Sequence, residues 1–419
     1  MPSAPRQPVA TGAPGIGGDR QPRPGAASPR PDRTISRRSP SSPAALARAI
    51  EPLEVDRFLA EHWERQPLVV PRGEEGRFDD LLSRRDVERL LTETGIRTPA
   101  FRLVKAGETI SGYTADLPWR PSPFTSVADV GRVLDELERG ATIVLQGLHH
   151  LWLPLARYCR HLEAFLGHPA QANAYYTPAG SQGLPVHHDT HEVISLQVAG
   201  SKRWLVYEPV LELPLRNQRY RSTLGEPGEP VLDVTLGPGD TLYLPRGWLH
   251  QALTSDADSL HITVGVNVRR WVDEVRAELD TAEGDLAFRQ TIDAAEPPEL
   301  PRLDPGAVRA RARERFVRSR RPILDGQLSE LRALPGLTTD VELERRDTVI
   351  ADLTGTTLVF EGRTLRFPAR LRPELEFLVT TAEPFRASEL PGELDGAGRL
   401  VLVRRLVREG FLRRTVSAD

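Results

Sequence analysis

Lysine is nearly missing from this chain. All but two of its 55 basic residues are arginine, and the two lysines are Lys105 and Lys202. Cysteine occurs once, as Cys159. An intrachain disulfide framework is therefore excluded, and a reducing, cytoplasmic setting is expected. No run of about 18 apolar residues is present, so no membrane-spanning helix is expected. The N-terminus lacks an apolar stretch, so no secretory signal is read there. Neither charge sign dominates: 55 basic residues face 58 acidic ones, for a formal net charge of −3. That balance gives no general attraction to nucleic acid or anionic lipid.

What is present is globular in proportion, with 39% hydrophobic and 27% charged residues over 419 positions. Such a length is enough for more than one domain. Residues 1–43 are Pro, Gly, Ser, Ala and Arg with almost no large apolar side chains, seven arginines standing against two aspartates. They cannot bury enough surface to offset chain entropy and are expected to be disordered. From Leu46 the pattern is helical, with Leu53, Phe58, Leu59 and Trp63 on one face up to QPLVVP at 66–71. Further helices are expected over 85–94, 127–139 and 151–166, and strands at FRLVKAG (101–107) and ATIVLQG (141–147).

Between 173 and 268 the pattern turns to short β runs punctuated by Gly, Pro and Asp. The last of them, LHITVGVNV, alternates Leu260, Ile262, Val264 and Val266 with polar or small residues, as a half-buried strand does. Many short strands at this spacing predict a sandwich or jelly-roll barrel. Residues 270–323 return to Arg/Glu-rich helix. From 324 to 419 the order is strand, strand, helix, helix, helix, strand, with a turn at Glu361–Gly362 and the third helix at 396–408, as in a winged helix.

Two segments carry chemistry. HHDTHE at 187–192 and GDTLYLPRGWLHQA at 239–252 hold His187, Asp189 and His250. Two imidazoles and one carboxylate suit Fe(II) with coordination positions left open. Residues two apart on a strand share a face, so His187 and Asp189 reach one ion while His188 points away. His191 has the same parity and is the rival ligand if the strand is continuous. A straight strand from Asp189 to Ala199 would span about 33 Å, well beyond the usual length. The chain must therefore bend near Thr190, which removes His191 from the metal and returns Lys202 towards it. A lysine there could pair with the far carboxylate of a small diacid. Pro245 and Gly247 predict a tight turn that aims His250 inward.

These two stretches resemble the JmjC-type ribosomal oxygenases, Fe(II)- and 2-oxoglutarate-dependent protein hydroxylases of the cupin superfamily. NAYYTPAGSQGLPVHHDTHEVISLQVAGSKRWLVYEP (173–209) and GDTLYLPRGWLHQALTSDADSLHITV (239–264) carry the likeness. It implies an α+β fold: a double-stranded β-helix (jelly-roll, cupin-type JmjC barrel) over 44–269 with flanking helices. A helical, dimerising region follows at 270–323 and a winged-helix-like domain at 324–419. It implies that His187, Asp189 and His250 hold iron and that Lys202, with Asn173 and Tyr175, receives 2-oxoglutarate, O2 being the co-reactant. It implies a protein or peptide substrate, an Arg or His of a ribosomal protein among the candidates, and a homodimer. His188, His191 and Gly265 depart from the family's usual residues, Gly265 standing where serine is common, and Thr254 replaces the final Asn of the second cupin motif.

Two other chemistries compete with hydroxylation of a ribosomal protein: the same reaction on a biosynthetic peptide, and a non-oxygenase metal cupin. The HxD carboxylate and Lys202 argue against the cupin. A DNA reader built on the C-terminal part is disfavoured, because residues 325–419 carry 14 arginines against 16 acidic residues and lack a basic footprint.

Overall fold

Apolar residues at helical spacing close the first elements onto a common core. The computed structural model describes residues 42–181, 184–253, 256–291 and 304–415. The tail expected to be disordered over 1–43 lies outside them apart from its last two residues. In α1 (Ala44–Ile50) and α2 (Val55–Glu61), Leu46, Ile50, Phe58 and Leu59 are buried. QPLVVP contains strand β1 (Leu68–Val70). Helix α3 (Arg84–Thr92) starts at a capping box in which Ser83 and Asp86 satisfy each other's backbone N–H groups.

Strands β2 (Phe101–Lys105) and β3 (Glu108–Thr109) pair, as do β4 (Thr114–Leu117) and β5 (Phe124–Ala128). Helix α4 (Val130–Glu138) starts later than the expected Val127. That valine is taken by β5, and the Asp129 side chain caps the helix through the N–H of Arg132. After β6 (Thr142–Leu145), the single helix expected over 151–166 is two, α5 (Leu148–Leu151) and α6 (Leu153–Leu166). Trp152 between them is extended, and Pro154 suits the first turn of the second helix.

The barrel is built from β7 (Ala170–Thr177), β8 (Glu192–Gly200), β9 (Lys202–Tyr207), β10 (Leu232–Leu236), β11 (Thr241–Leu244), β12 (Leu249–Leu253) and β13 (Ser259–Val266). An eight-stranded sheet runs β1-β11-β8-β13-β7-β6-β2-β3, and a three-stranded sheet β10-β9-β12 faces it. Successive strands switch sheets: β8 lies in the large one, β9 and β10 in the small one, β11 in the large, β12 in the small, β13 in the large. The chain is a jelly-roll of the cupin kind, with helices on the outer face of the large sheet. Period-two alternation sorts its side chains. Leu260, Ile262, Val264 and Val266 of β13 pack outward on Phe58, Leu162 and other helix residues. Val193, Trp204, Val206, Leu242 and Leu244 pack between the sheets. One expectation needs correction here. β13 is not half-exposed: its alternate residue His261 is also buried, because both faces of the strand are covered.

Beyond the barrel come α7 (Trp271–Thr281), α8 (Pro305–Arg318) and α9 (Gln327–Ala333). Then follow β14 (Glu342–Arg345), β15 (Ala351–Thr354), β16 (Thr357–Phe360), β17 (Arg363–Arg366), α10 (Arg372–Thr380), β18 (Phe385–Arg386), α11 (Gly396–Arg408) and β19 (Leu412–Arg414). The helix expected at ASELPG is a single 3-10 turn, Ala387–Glu389. This region has its own core, around Leu343, Phe360, Leu375, Leu406 and Phe411. No helix among the described residues is long and apolar enough to cross a membrane.

Candidate metal centre

His187 and His250 are directly paired across the small sheet. Each donates its backbone N–H to the other's carbonyl, at 3.1 and 2.8 Å, and their rings lie 4.4 Å apart. The HxD segment is thus an added edge of the small sheet beside β12. The turn before β12 aims His250. Trp248 N–H closes onto Pro245 O at 3.3 Å, with Gly247 at φ +93° in the third position of the turn, the conformation that favours glycine. A Cβ on Gly247 would meet Leu211 O at 2.7 Å. Its N–H donates to Asp189 O at 3.0 Å, tying the two ligand-bearing segments together.

One donor atom from each of His187, Asp189 and His250 lies within 4.8 Å of the others. Both imidazoles are set for metal binding by their other nitrogen. Nδ1–H of His187 donates to Pro185 O at 2.7 Å and Nδ1–H of His250 to Trp248 O at 3.0 Å. Each Nε2 then presents its lone pair. Burial, with His187 close by, pushes His250 down to about 4, so it is neutral at physiological pH. Burial alone would raise the Asp189 carboxyl, but His191, His250 and His187 around it hold it below its ordinary value. Two imidazoles and a carboxylate fit a divalent transition metal with room for further ligands.

The pocket continues inward along β9. Val206 is paired with His250, and Lys202 stands four residues further along the same face, roughly 13 Å away along the strand. Lys202 is 2% exposed. Its Nζ donates to Thr177 Oγ1 at 3.0 Å, and Thr142 Oγ1 lies 3.2 Å from the same hydroxyl. No carboxylate pairs with it among the described residues, and burial lowers it to about 8. A cation buried without a counter-charge is costly, so the site fits an anionic ligand. Tyr175 and His261 stack at 4.9 Å beside it, and Trp204 meets His261 edge-on. Trp204 Nε1 and His261 Nδ1 are buried without a hydrogen-bond partner, as a polar ligand would leave them before it binds.

Asn173 lies on the Tyr175 face of β7, with its Oδ1 accepting from Gly147 N–H at 2.9 Å. His191 is outside the metal group: the chain bends at 190–191 and enters β8 at Glu192. The return towards the metal layer is made beyond β8, at Gly200–Ser201, where the chain passes into β9. The His191 ring rests on Gly265, where an added Cβ would lie 2.4 Å from its Cδ2. The two departures noted in the sequence are therefore one steric arrangement. His188 is buried, and its Nε2–H donates to Gln218 O at 2.9 Å, pinning the loop after β9. Thr142, Thr177, Trp204 and His261 were missed by sequence reasoning. For Thr177 and His261 the available signal was the alternation of polar and apolar residues along β7 and β13; Thr142 and Trp204 carried no such signal.

A second buried network braces the turn. Arg246 Nη1 donates to Glu192 Oε1 at 3.0 Å and to Glu64 Oε1 at 2.6 Å, and the Tyr243 hydroxyl donates to Glu192 Oε2 at 2.6 Å. Burial pushes Glu192 up to about 7, against the pull of Tyr243 and Arg246.

Comparison with known proteins places this geometry. The JmjC domain family matches residues 149–273. The chain is 35% identical over 220 residues to the bifunctional lysine-specific demethylase and histidyl-hydroxylase NO66 of Drosophila persimilis, a match covering 52% of this chain and 31% of that protein. It is 33% identical over 257 residues to ribosomal oxygenase 1 of Gallus gallus (58% and 41% covered) and 33% identical over 251 residues to ribosomal oxygenase 2 of Mus musculus (57% and 52%). The matches thus span about a third to a half of these relatives' lengths. In fold it is similar to the Escherichia coli ribosomal oxygenase YcfD, with a TM-score of 0.52, 20% identity, and 87% of this chain and 98% of that one covered. YcfD in complex with cobalt and 2-oxoglutarate matches with the same score and identity, over 87% and 99%.

Proposed function

The chain carries a JmjC domain of the ribosomal-oxygenase kind, and from that premise we propose that it is an Fe(II)- and 2-oxoglutarate-dependent oxygenase that hydroxylates a protein side chain. The observation that carries the reading is Lys202, a buried cation with no carboxylate partner among the described residues, at the far end of the pocket that begins at His187, Asp189 and His250. A five-carbon diacid held at one end by a metal on His187, Asp189 and His250 would find a cation for its other carboxylate in Lys202 of the same pocket. When bound, the iron and 2-oxoglutarate supply the oxidising power: O2 and 2-oxoglutarate are consumed, one oxygen atom enters the substrate C–H bond, and succinate and CO2 leave.

The chain's own residues do the rest. His187, Asp189 and His250 hold the metal, and the Pro185 and Trp248 carbonyls keep each imidazole in the ligating tautomer. Lys202, supported by Thr177, orients the cosubstrate with Tyr175 on the same wall, while Asn173 lies outside the pocket lining, its Oδ1 held by the Gly147 N–H. Trp204, His261 and Val193 line the pocket and keep bulk water from it. NO66 is named a histidyl-hydroxylase and the other relatives ribosomal oxygenases, which makes a ribosomal protein the first substrate to try and a biosynthetic peptide the second. A homodimer through 270–323 is supported by exposed Trp271, Leu279 and Leu286, and a cytoplasmic setting by the single free Cys159. No role in DNA binding is proposed.

The test is iron-dependent formation of succinate from 2-oxoglutarate by purified protein, in wild type and His250→Ala. Wild type should turn over and the variant should not, while both melt alike in the iron-free state. Full activity in His250→Ala, or wild-type inactivity with Fe(II) loaded, would reject the reading. Mass spectrometry of ribosomal proteins from cells with and without this protein then looks for the gain of one oxygen atom.

A further inference from the structure

Past the metal, at the open end of the barrel, lies a second cleft that the proposed chemistry does not use. It is lined by Thr190, next to Asp189, by Pro169, Leu215 and Val268, and by four arginines: Arg216, Arg269, Arg270 and Arg276. Among the described residues, Asp273 is the single carboxylate in its walls. The strands order these parts. Along β13 the inner face runs His261, Thr263, Gly265, from the Lys202 end to the end paired with Glu192, and Arg269 and Arg270 follow directly. The His191 ring rests over Gly265, at the end of β13 from which the chain runs on to Arg269 and Arg270.

Two of the four charges are already paired, Arg269 with Glu274 and Arg270 with Asp273, each at 2.7 Å. Arg216 and Arg276 make no salt bridge among the described residues, although Arg276 is near enough to Asp273 to help hold its carboxyl down, and both arginines are exposed. The loop that bears Arg216 is held in place, because His188 pins Gln218 and a Cβ on Gly247 would meet Pro214 at 2.8 Å. Apolar walls beside unpaired guanidiniums focus a positive potential at the mouth. The chain as a whole is slightly acidic, so the field is local.

We infer that this cleft receives the carboxylates of an acidic polypeptide segment flanking the side chain to be hydroxylated, so that the enzyme selects an acidic sequence context. The inference rests on the proposed hydroxylase reading. A peptide is favoured over nucleic acid for two reasons. No aromatic ring lines the cleft to stack a base, and the C-terminal region adds no basic track, with 14 arginines against 16 acidic residues over 325–419. Guanidinium pairs bind carboxylates in a fixed two-pronged geometry, which gives register as well as attraction.

The experiment measures fluorescence anisotropy of labelled oligoglutamate, oligolysine and a single-stranded oligoribonucleotide on the full chain, in wild type and in the double variant Arg216→Glu/Arg276→Glu. Oligoglutamate should bind, weaken as salt rises, and bind the double variant about tenfold or more worse, while oligolysine should not bind wild type. Unchanged oligoglutamate binding in the variant, or equal binding of oligolysine, overturns the inference. An oligoribonucleotide that binds more tightly than oligoglutamate and is lost in the variant overturns it in favour of a nucleic-acid site. Succinate formation by wild type, measured without any peptide, is read separately. Its absence would sink the hydroxylase reading even where oligoglutamate binds, and its presence with no oligoglutamate binding sinks only the cleft.

Discussion

Lys202 decides what the pocket can hold. The ammonium sits among threonine hydroxyls and aromatic rings with no acid among the described residues to balance it, and burial lowers it to about 8. A carboxylate pairs only with the protonated form. Affinity for 2-oxoglutarate should therefore be full below about pH 8 and decline as pH rises through it, and Lys202→Arg should move that decline to higher pH, because a guanidinium stays charged. Lys202→Ala should raise the KM for 2-oxoglutarate by about ten- to a hundredfold. Succinate assays across pH check both, and a flat profile in wild type would count against the assignment. At the other end of the pocket, His191 and Gly265 share one space. Gly265→Ala should destabilise the protein by about 1–3 kcal/mol, and His191→Ala should relieve most of that loss. Denaturant unfolding of the two single variants and the double variant measures the coupling; additive effects would mean that the ring moves aside freely. His187, Asp189 and His250 are legible because HxD and PxGxxH are short-range patterns whose local turns aim the side chains. The His191–Gly265 contact was not legible, because β8 and β13 meet only after the barrel closes.

The element that positions the site is the turn at 245–248. It is braced by Arg246, which is 5% exposed and sits between Glu192 and Glu64. Removing that guanidinium leaves Glu192 buried without its cation, held by the Tyr243 hydroxyl and the backbone N–H of residue 246. Arg246→Ala should cost about 3–5 kcal/mol and should also weaken Fe(II) binding, because the turn delivers His250. Thermal unfolding and metal titration test this together: loss of stability with unchanged iron affinity would show that the brace does not reach the ligand. Element types along the barrel could be read from periodicity, and strands β8, β9, β10, β11 and β13 lie where the apolar runs predict. The ends were harder. The helix expected from Val127 starts only at Val130, because Val127 is spent on a strand partner and Asp129 offers the cap. The helix expected through Trp152 breaks there, where Pro154 can begin a helix but cannot continue one.

At the scale of the whole molecule, α6 and the C-terminal region are joined by ionic contacts that no local pattern announces. Arg160 is 6% exposed, pairs with Glu361 and with Glu163 at 3.0 Å, and donates to Thr348 O at 2.8 Å. Burial pushes the Glu361 carboxyl up to about 7 from its ordinary 4.5, against the pull of Arg160. The folded state therefore holds that proton more tightly than the unfolded chain does. Its contribution to stability is full below about 4.5 and is lost as pH rises towards 7. The stability advantage of wild type over Glu361→Gln should shrink across that window, by melting of the iron-free protein at a series of pH values. An advantage that grows with pH would mean that the carboxylate is the stabilised form.

The sequence by itself determined the alternation that makes a two-sheet barrel and the spacing that brings two imidazoles and a carboxylate to one strand end. These are local: a period of two, a turn that needs glycine, an isolated lysine. The tertiary structure decided what surrounds them. Thr177, backed by Thr142, receives Lys202, His261 stacks on Tyr175, and Arg216 and Arg276 line one cleft at the mouth. Each such pair joins residues between 25 and 86 positions apart. Periodicity says which face a side chain takes, but only sheet register says what it faces.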